Sequence, residues 1–242
     1  MFLTEDGLQY HVRLKKGDIG EYVFLPGDPF RTDIIASYLD DAVLVAHNRE
    51  HKTWTGYLDG VKVSVTSTGM GCPSTAIAVE ELINCGAKTF IRIGTAGTVK
   101  DPKDEEIYDC CVVTGAVRDE GTTIHYVPVE FPAIADRHVV DALVEACRQR
   151  GLNALEGITQ SKDSFYGELE PDNSPVEARL KERWVAWQRA GVCCSEMECA
   201  AIFVLCSIRG ARGGAIMNWG NMEETIQAAC DAVRILIKKE KA

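Results

Sequence analysis

Short apolar runs alternate with amphipathic stretches along the whole chain. Tyr22-Val23-Phe24-Leu25 predicts a strand ended by Pro26-Gly27-Asp28-Pro29, and the apolar spacing from Arg31 to Leu39 predicts a helix. Val61 to Thr66 alternates with period 2, and Ser67-Thr68-Gly69-Met70-Gly71 behind it reads as a loop of small residues. Pro73 suits a first helical turn, so Thr75 to Asn84 reads as a helix stopped at Gly86. Lys88 to Ile93 is near-continuously apolar, as buried parallel strands are, and Cys110 to Val117 is another strand.

The same rhythm continues in the second half. Val139, Val140, Leu143, Val144 and Cys147 share one helix face, with Gly151 just past its end. Ser174-Pro175-Val176-Glu177 reads as a capping box with proline at the first helical position, followed by a stripe of Val176, Leu180, Trp184 and Trp187. Met222, Ile226, Ala229, Val233 and Leu236 give a C-terminal helix its buried face. No repeat, low-complexity tract or linker interrupts the pattern. Strands alternating with helices in this way predict a single α/β domain over 1–242, with a largely parallel sheet.

Composition narrows the partners. The chain has 242 residues, 46% hydrophobic and 26% charged, enough apolar material for a substantial core. Lys plus Arg total 26 against 36 Asp plus Glu, and a net charge of -10 opposes general binding to nucleic acid or to an anionic membrane. No run approaches the roughly 18–20 apolar residues of a membrane span. The stretch MFLTEDGLQYHVRLKKGD has scattered charges and no apolar core, so no signal peptide is expected. Ten cysteines include no C-x-x-C spacing and mostly lie in apolar runs, which points to reduced thiols in a cytoplasmic protein.

In α/β sheets ligands bind beyond the C-terminal ends of strands, so the loops there carry the chemistry. Gly27-Asp28-Pro29-Phe30-Arg31 offers backbone N–H groups with a guanidinium four residues beyond the glycine, which suits a phosphate as well as a plain turn. Arg92 interrupts Phe90-Ile91-Arg92-Ile93 just before Gly94-Thr95-Ala96-Gly97. An arginine in so apolar a strand must meet an anion, either a ligand or a core carboxylate. Ser195-Glu196-Met197-Glu198 opens a helix over Cys199 to Ile208. Its two carboxylates either answer the helix dipole or accept hydrogen bonds from a pair of sugar hydroxyls. A phosphate site beside a diol site is what phosphorolysis of a nucleoside requires.

The stretches LPGDPFRTDIIA, HNREHKTWTGYLDG, STGMGCPSTAIAVEEL, GAKTFIRIGTAG, VPVEFPAIAD, KDSFYG and SEMECAA follow one another between Tyr10 and about Gly214. In that order the sequence resembles the hexameric nucleoside phosphorylases of the purine nucleoside and uridine phosphorylase superfamily, closest to its uridine phosphorylases. The resemblance implies a mixed twisted sheet, partly closed into a barrel and flanked by helices. It implies an enzyme of nucleoside salvage, a glycosyltransferase (pentosyltransferase) with inorganic phosphate as co-substrate and no other cofactor, assembled as a trimer of dimers.

The same resemblance implies residue roles. Gly27, Arg31, Arg92 and Thr95 would hold phosphate, with Arg49 lent to it by a neighbouring subunit. His11 would reach across the dimer to the ribose 5′-hydroxyl. Glu196, Met197 and Glu198 match the ribose-binding stretch, with Glu198 accepting from the 2′- and 3′-hydroxyls, so that Arg92 and Glu198 carry the catalysis. Phe165 would cover the nucleoside, and Glu168 would face the base. Glu50, Met70 and Ser74 fall where some uridine phosphorylases hold a monovalent cation, such as potassium, between subunits.

Two stretches depart from the pattern. Uridine phosphorylases read the base with a Gln and an Arg, and here Glu168 and Glu170 stand in their places. A carboxylate accepts uracil's N3–H but repels O2 and O4 unless a raised pKa keeps it protonated. Purine members carry a Ser-Asp whose acid protonates the leaving base, whereas Asn218-Trp219 supplies none, and Asn218 to Asn221 reaches the last helix early. Phosphorolysis of uridine is therefore the leading expectation. Another nucleoside, purines included, and a non-catalytic nucleoside binder are the alternatives, and a hydrolase fits the three arginines less well.

Overall fold

The computed structural model describes residues 3–99 and 107–241. Chain order runs β1 (Tyr22–Leu25), α1 (Pro29–Ala36), β2 (Asp40–Asn48), β3 (His51–Leu58), β4 (Val61–Thr66), α2 (Cys72–Cys85), β5 (Thr89–Thr95) and β6 (Gly97–Thr98). It continues with β7 (Cys110–Asp119), β8 (Ala133–Ile134), α3 (Arg137–Arg150), β9 (Ala154–Lys162), α4 (Phe165–Leu169) and α5 (Glu177–Arg189). The last elements are β10 (Cys194–Glu196), α6 (Cys199–Arg209), β11 (Arg212–Asn218) and α7 (Met222–Lys241).

One mixed sheet holds the strands in the order β2-β3-β4-β1-β5-β11-β7-β9-β10-β6, with β8 beside β7. β1 lies parallel between β4 and β5, and β11 pairs parallel to β5 but antiparallel to β7. The expected partial barrel takes a particular form. β6 is the two-residue continuation of β5 beyond Ala96, and it pairs with β10, so the path from β5 returns to its own strand. The sheet is not closed: β5 and β10 share no ladder.

Helices cover both faces. One apolar cluster packs α2 and α6 (Ala78, Val79, Leu82, Ile202, Phe203) onto Val23, Leu25 and Phe90. The other packs α1, α3 and α7 (Ile35, Leu143, Ile226, Val233) onto Phe24, Ile91 and Ile93. Alternate residues of β1 and β5 thus feed opposite cores, which is why both strands read as unbroken apolar runs. Gly86 and Gly151 end α2 and α3 in the left-handed conformation, φ 110° and 72°, as their positions predict.

Two expectations change. The capping box does not form: Ser174 Oγ accepts from Val176 N at 3.3 Å, Glu177 N donates to the Ser174 carbonyl, and α5 starts at Glu177 without a side-chain cap. Pro175 therefore precedes the helix instead of opening it. The stripe behind it is not core, since no residue of α5 is buried, and Leu180, Trp184 and Trp187 line a cavity. The hairpin β2–β3 shows no clean alternation in the sequence because β2 is an edge strand with Val43 and Leu44 exposed.

Candidate active site

The two small-residue loops are bonded to each other. Thr68 N donates to the Pro26 carbonyl at 2.9 Å and Gly69 N to the Gly27 carbonyl at 3.0 Å, which fastens the β4–α2 loop to the β1–α1 loop. Asp28 caps α1 by accepting from Phe30 N at 2.9 Å. The loops approach so closely that a Cβ on Gly27 would stand 3.3 Å from the Gly69 carbonyl and 4.0 Å from Arg92 Nη1. Gly69, at φ 71°, would bring a Cβ to 2.6 Å from Glu50 Cγ.

Arg92 crosses the opening between β5 and β10. Its Nε donates to Glu196 Oε2 at 3.1 Å and its Nη2 to Glu198 Oε2. Burial works against its charge, but Glu198 and Glu196 outweigh it and hold the guanidinium above its ordinary pKa. The third nitrogen, Nη1, is buried and has no partner among the described residues. A buried N–H of a cation left empty costs about 1–3 kcal/mol or more. Its position facing Gly27 marks where an anion would sit.

Each carboxylate has its own role. Glu196 accepts from Ser161 Oγ at 2.5 Å, from Glu198 N at 2.7 Å and from Cys199 N, so it answers the N-terminus of α6 as well as Arg92. Glu198 accepts from Gly71 N at 2.7 Å, which ties the β4–α2 loop to the same centre. Burial pushes the Glu198 pKa up and the Glu196 charge adds to it, with Arg92 opposing. Met197, between them, is half-buried.

Arg31 is half-buried and makes no ion pair among the described residues. Burial lowers its pKa, Asp28 opposes that, and the nearby charge of Arg92 lowers it again. A guanidinium without an ion pair among the described residues thus lies near one already held by two carboxylates, and charge-assisted bonds to an added anion would suit both. Thr95, the last residue of β5, is exposed and stands opposite Asn218 of β11 in register.

His11 and Arg49 lie elsewhere on the chain, next to each other. Glu81 on α2 accepts from His11 N at 2.9 Å and Val12 N at 2.8 Å, and His11 Nδ1 lies 2.7 Å from its other oxygen. Asn48 donates to the His11 carbonyl at 2.7 Å, and Arg49 follows in the exposed turn after β2 at φ 54°. Glu50 accepts from Ser74 Oγ at 2.7 Å, and that hydrogen bond draws its pKa down. Met70 nearby is 85% exposed. No cluster of three His, Cys, Asp or Glu suited to a metal occurs among the described residues.

At the far end Phe165 opens α4 and is half-exposed. Glu168 stands against a cation. The ammonium of Lys162, at the end of β9, donates to Glu168 Oε1 and, at 2.7 Å, to Ser195 Oγ. Ser195 Oγ in turn donates to Glu168 at 2.8 Å. Glu170 faces Asn173 instead, accepting at 3.0 Å, so the two carboxylates are not a mutually repelling pair. Beyond Glu168 lies a cavity of about 470 Å³ lined by Gln160, Leu169, Leu180, Trp184 and Trp187 among others. Trp219 Nε1 donates to the Ala96 carbonyl at 3.0 Å, and residues 219–221 join β11 directly to α7.

Lys162, Ser161, Ser195 and Glu81 have no role of their own in the sequence reading, although Lys162, Ser195 and Glu81 fall inside the quoted stretches. Their partners lie 6 to 70 positions away, and none sits in a recognisable spacing. A lysine closing a strand ahead of an aromatic pair is the only local cue to Lys162.

At these strand ends an arginine is held by two carboxylates and turns an N–H, unpartnered among the described residues, toward a glycine cradle. The chain belongs to the phosphorylase superfamily, whose family model matches residues 21–233. It is 44% identical to uridine phosphorylase of Treponema pallidum, over 96% of this chain and 95% of that protein. It is 46% identical to uridine phosphorylase of Thermococcus kodakarensis, over 88% of this chain and 77% of that one. It is also 39% identical to guanosine phosphorylase of Halorubrum lacusprofundi, over 96% and 92%.

Proposed function

We propose that the chain is a uridine phosphorylase, converting uridine and phosphate to uracil and ribose 1-phosphate. The observation that carries this is Nη1 of Arg92, unpartnered among the described residues and facing Gly27, with Arg31 close by. The two uridine phosphorylases above, similar over most of this chain, support the same reading. Phosphate lies against C1′, its oxygen forms the new C1′–O bond, and the C1′–N1 pair leaves with the base. The proton of hydrogen phosphate ends, through solvent, on the departed uracil. Glu198 accepts from the ribose hydroxyls while it holds Arg92, which couples sugar binding to the orientation of the phosphate ligand.

The site is shared between subunits of a dimer, and three dimers make the particle. Support comes from His11 and Arg49, gathered by Asn48 on one patch, and from β2, an edge strand that leaves Val43 and Leu44 59% and 48% exposed just before them. Nucleoside salvage in the cytoplasm is the corresponding role, and a potassium ion at Glu50, Met70 and Ser74 belongs to the same dimer contact. The resemblance to a guanosine phosphorylase favours a second reading, phosphorolysis of an oxopurine nucleoside. A panel of uridine, thymidine, cytidine, inosine, guanosine and adenosine, assayed with and without phosphate, decides. Phosphate-dependent uracil release exceeding all other bases supports the first reading, and inosine or guanosine outrunning uridine replaces it with the second.

A further inference from the structure

Lys162 is 7% exposed, and the side chain of Glu168 is 12% exposed. Lysine is almost never buried without a charged partner. A buried ion pair also gives little net stability over an apolar pair of the same size. This one closes the end of β9, on the strand face opposite Ser161 and Glu196. Ser161, the residue before Lys162, bonds Glu196, and Ser195, which Lys162 bonds, is the residue before Glu196. The ammonium lies 5.8 Å from the centroid of the Phe165 ring, the aromatic expected to cover the nucleoside.

The hydrogen-bond valences of the pair are incomplete. An ammonium has three N–H donors, and Lys162 uses two, on Glu168 Oε1 and Ser195 Oγ. Glu168 Oε1 accepts twice, while Oε2 accepts nothing among the described residues. One donor and one acceptor thus remain side by side. That couple matches a ring carbonyl next to a ring N–H, the edge shown by uracil, thymine, hypoxanthine and guanine. Cytosine and adenine do not have it.

Resting on the phosphorolysis proposed above, we infer that Lys162 and Glu168 read the base, the ammonium donating to its carbonyl oxygen and the carboxylate accepting its N–H. The pair also resolves the charge problem at this end of the site. As C1′–N1 breaks, its electron pair spreads into the base carbonyls, and a carboxylate alone would oppose it. With Lys162 beside it, the charge nearest the carbonyl is positive. The ammonium already stands in place before the bond breaks, so its stabilisation costs no reorganisation during the reaction.

The test uses the whole enzyme with variants at two positions and three substrates. Lys162→Met keeps the length of the side chain and removes the donor. It is expected to lower kcat/KM for uridine by about 100-fold, as for loss of one donor to a developing anion. The loss should be clearly smaller for 5-fluorouridine, whose base leaves as a weaker base, and the KM for phosphate should not move. Lys162→Arg should recover part of the rate. Glu168→Leu should erase most of the preference for uridine over N3-methyluridine. Should either variant misfold by circular dichroism, inhibition of the wild type decides, because uracil should then bind at least ~10-fold tighter than N3-methyluracil. Wild-type uridine turnover with Lys162→Met within threefold of it, equal losses for both uridines, or equal inhibition by the two uracils overturns base reading alone. A wild type that releases no base from any nucleoside overturns the phosphorylase reading and this inference together.

Discussion

Replacing Arg92 with alanine tests the centre of the site through stability as well as rate. Arg92 is 5% exposed and, among the described residues, is the only cation bonded to Glu196 and Glu198, each 4% exposed. Its loss leaves two buried carboxylates facing one another. Glu196 keeps Ser161 and the first N–H groups of α6, while Glu198 keeps neutral backbone donors such as Gly71 N and loses its cation. Removing one partner from a buried pair costs about 3–5 kcal/mol. For a chain of this size that lowers Tm by roughly 6–20 °C. The pH dependence has a definite sign. Glu198 is already raised from 4.5, first by burial and then by Glu196, and Arg92 is the cation that opposes the rise. Without Arg92 its folded pKa climbs further, so the folded state holds a proton that the unfolded chain has released. Stability then falls as pH rises from about 4.5 through the new folded value. Thermal unfolding followed by circular dichroism should show the variant melting higher near pH ~5 than near pH ~8, with a larger gap than the wild type. Turnover at subsaturating phosphate should fall about 100-fold. A variant melting within about 2 °C of the wild type, with no greater acid preference, would mean that Arg92 does not compensate these carboxylates.

Two further outcomes follow from the same geometry. Mixing inactive Arg49→Ala subunits with inactive Arg31→Ala subunits should restore activity at about a quarter of the sites, since half of random dimers are mixed and each has one intact site; no recovery after confirmed subunit exchange would show that Arg49 serves its own chain. Gly27→Ala forces a Cβ to 3.3 Å from the Gly69 carbonyl, so the paired loops must part, and the KM for phosphate should rise about tenfold while that for uridine changes little; an unchanged phosphate KM would place the anion elsewhere.

What could be read from the sequence was local. Strands such as Tyr22–Leu25 and Val61–Thr66 declare themselves because burial on both faces or clean alternation leaves a pattern within a few residues. Gly86 and Gly151 declare helix ends because only a left-handed residue fits there. Arg92 was conspicuous because a charge in an apolar strand needs a partner, and of the two expected partners the core carboxylates, Glu196 and Glu198, are there. The capping box misled because the motif fits the helix start on paper, while the chain around Pro175 brings Val176 N to Ser174 Oγ and leaves Glu177 N to the Ser174 carbonyl. Lys162 was silent for a different reason. Its meaning depends on β9 lying beside β10, which sets it against Ser195, 33 positions away. Likewise the repulsion expected of Glu168 and Glu170 disappears once α4 turns one toward Lys162 and the other toward Asn173.

All ten cysteines are free and buried. Burial also pushes several thiols up, Cys85 and Cys230 to about 12, so thiolate is scarce while the fold is intact. An alkylating reagent therefore meets almost nothing in the native enzyme, and each site labels only when the packing around it opens. Cys230 reports on α7, Cys206 on α6, Cys85 on the end of α2, Cys111 on β7, and Cys194, with Cys193 just before it, on β10. Mass spectrometry of a timed labelling series would read the free energy of opening element by element. The wild-type chain thus carries its own set of stability reporters.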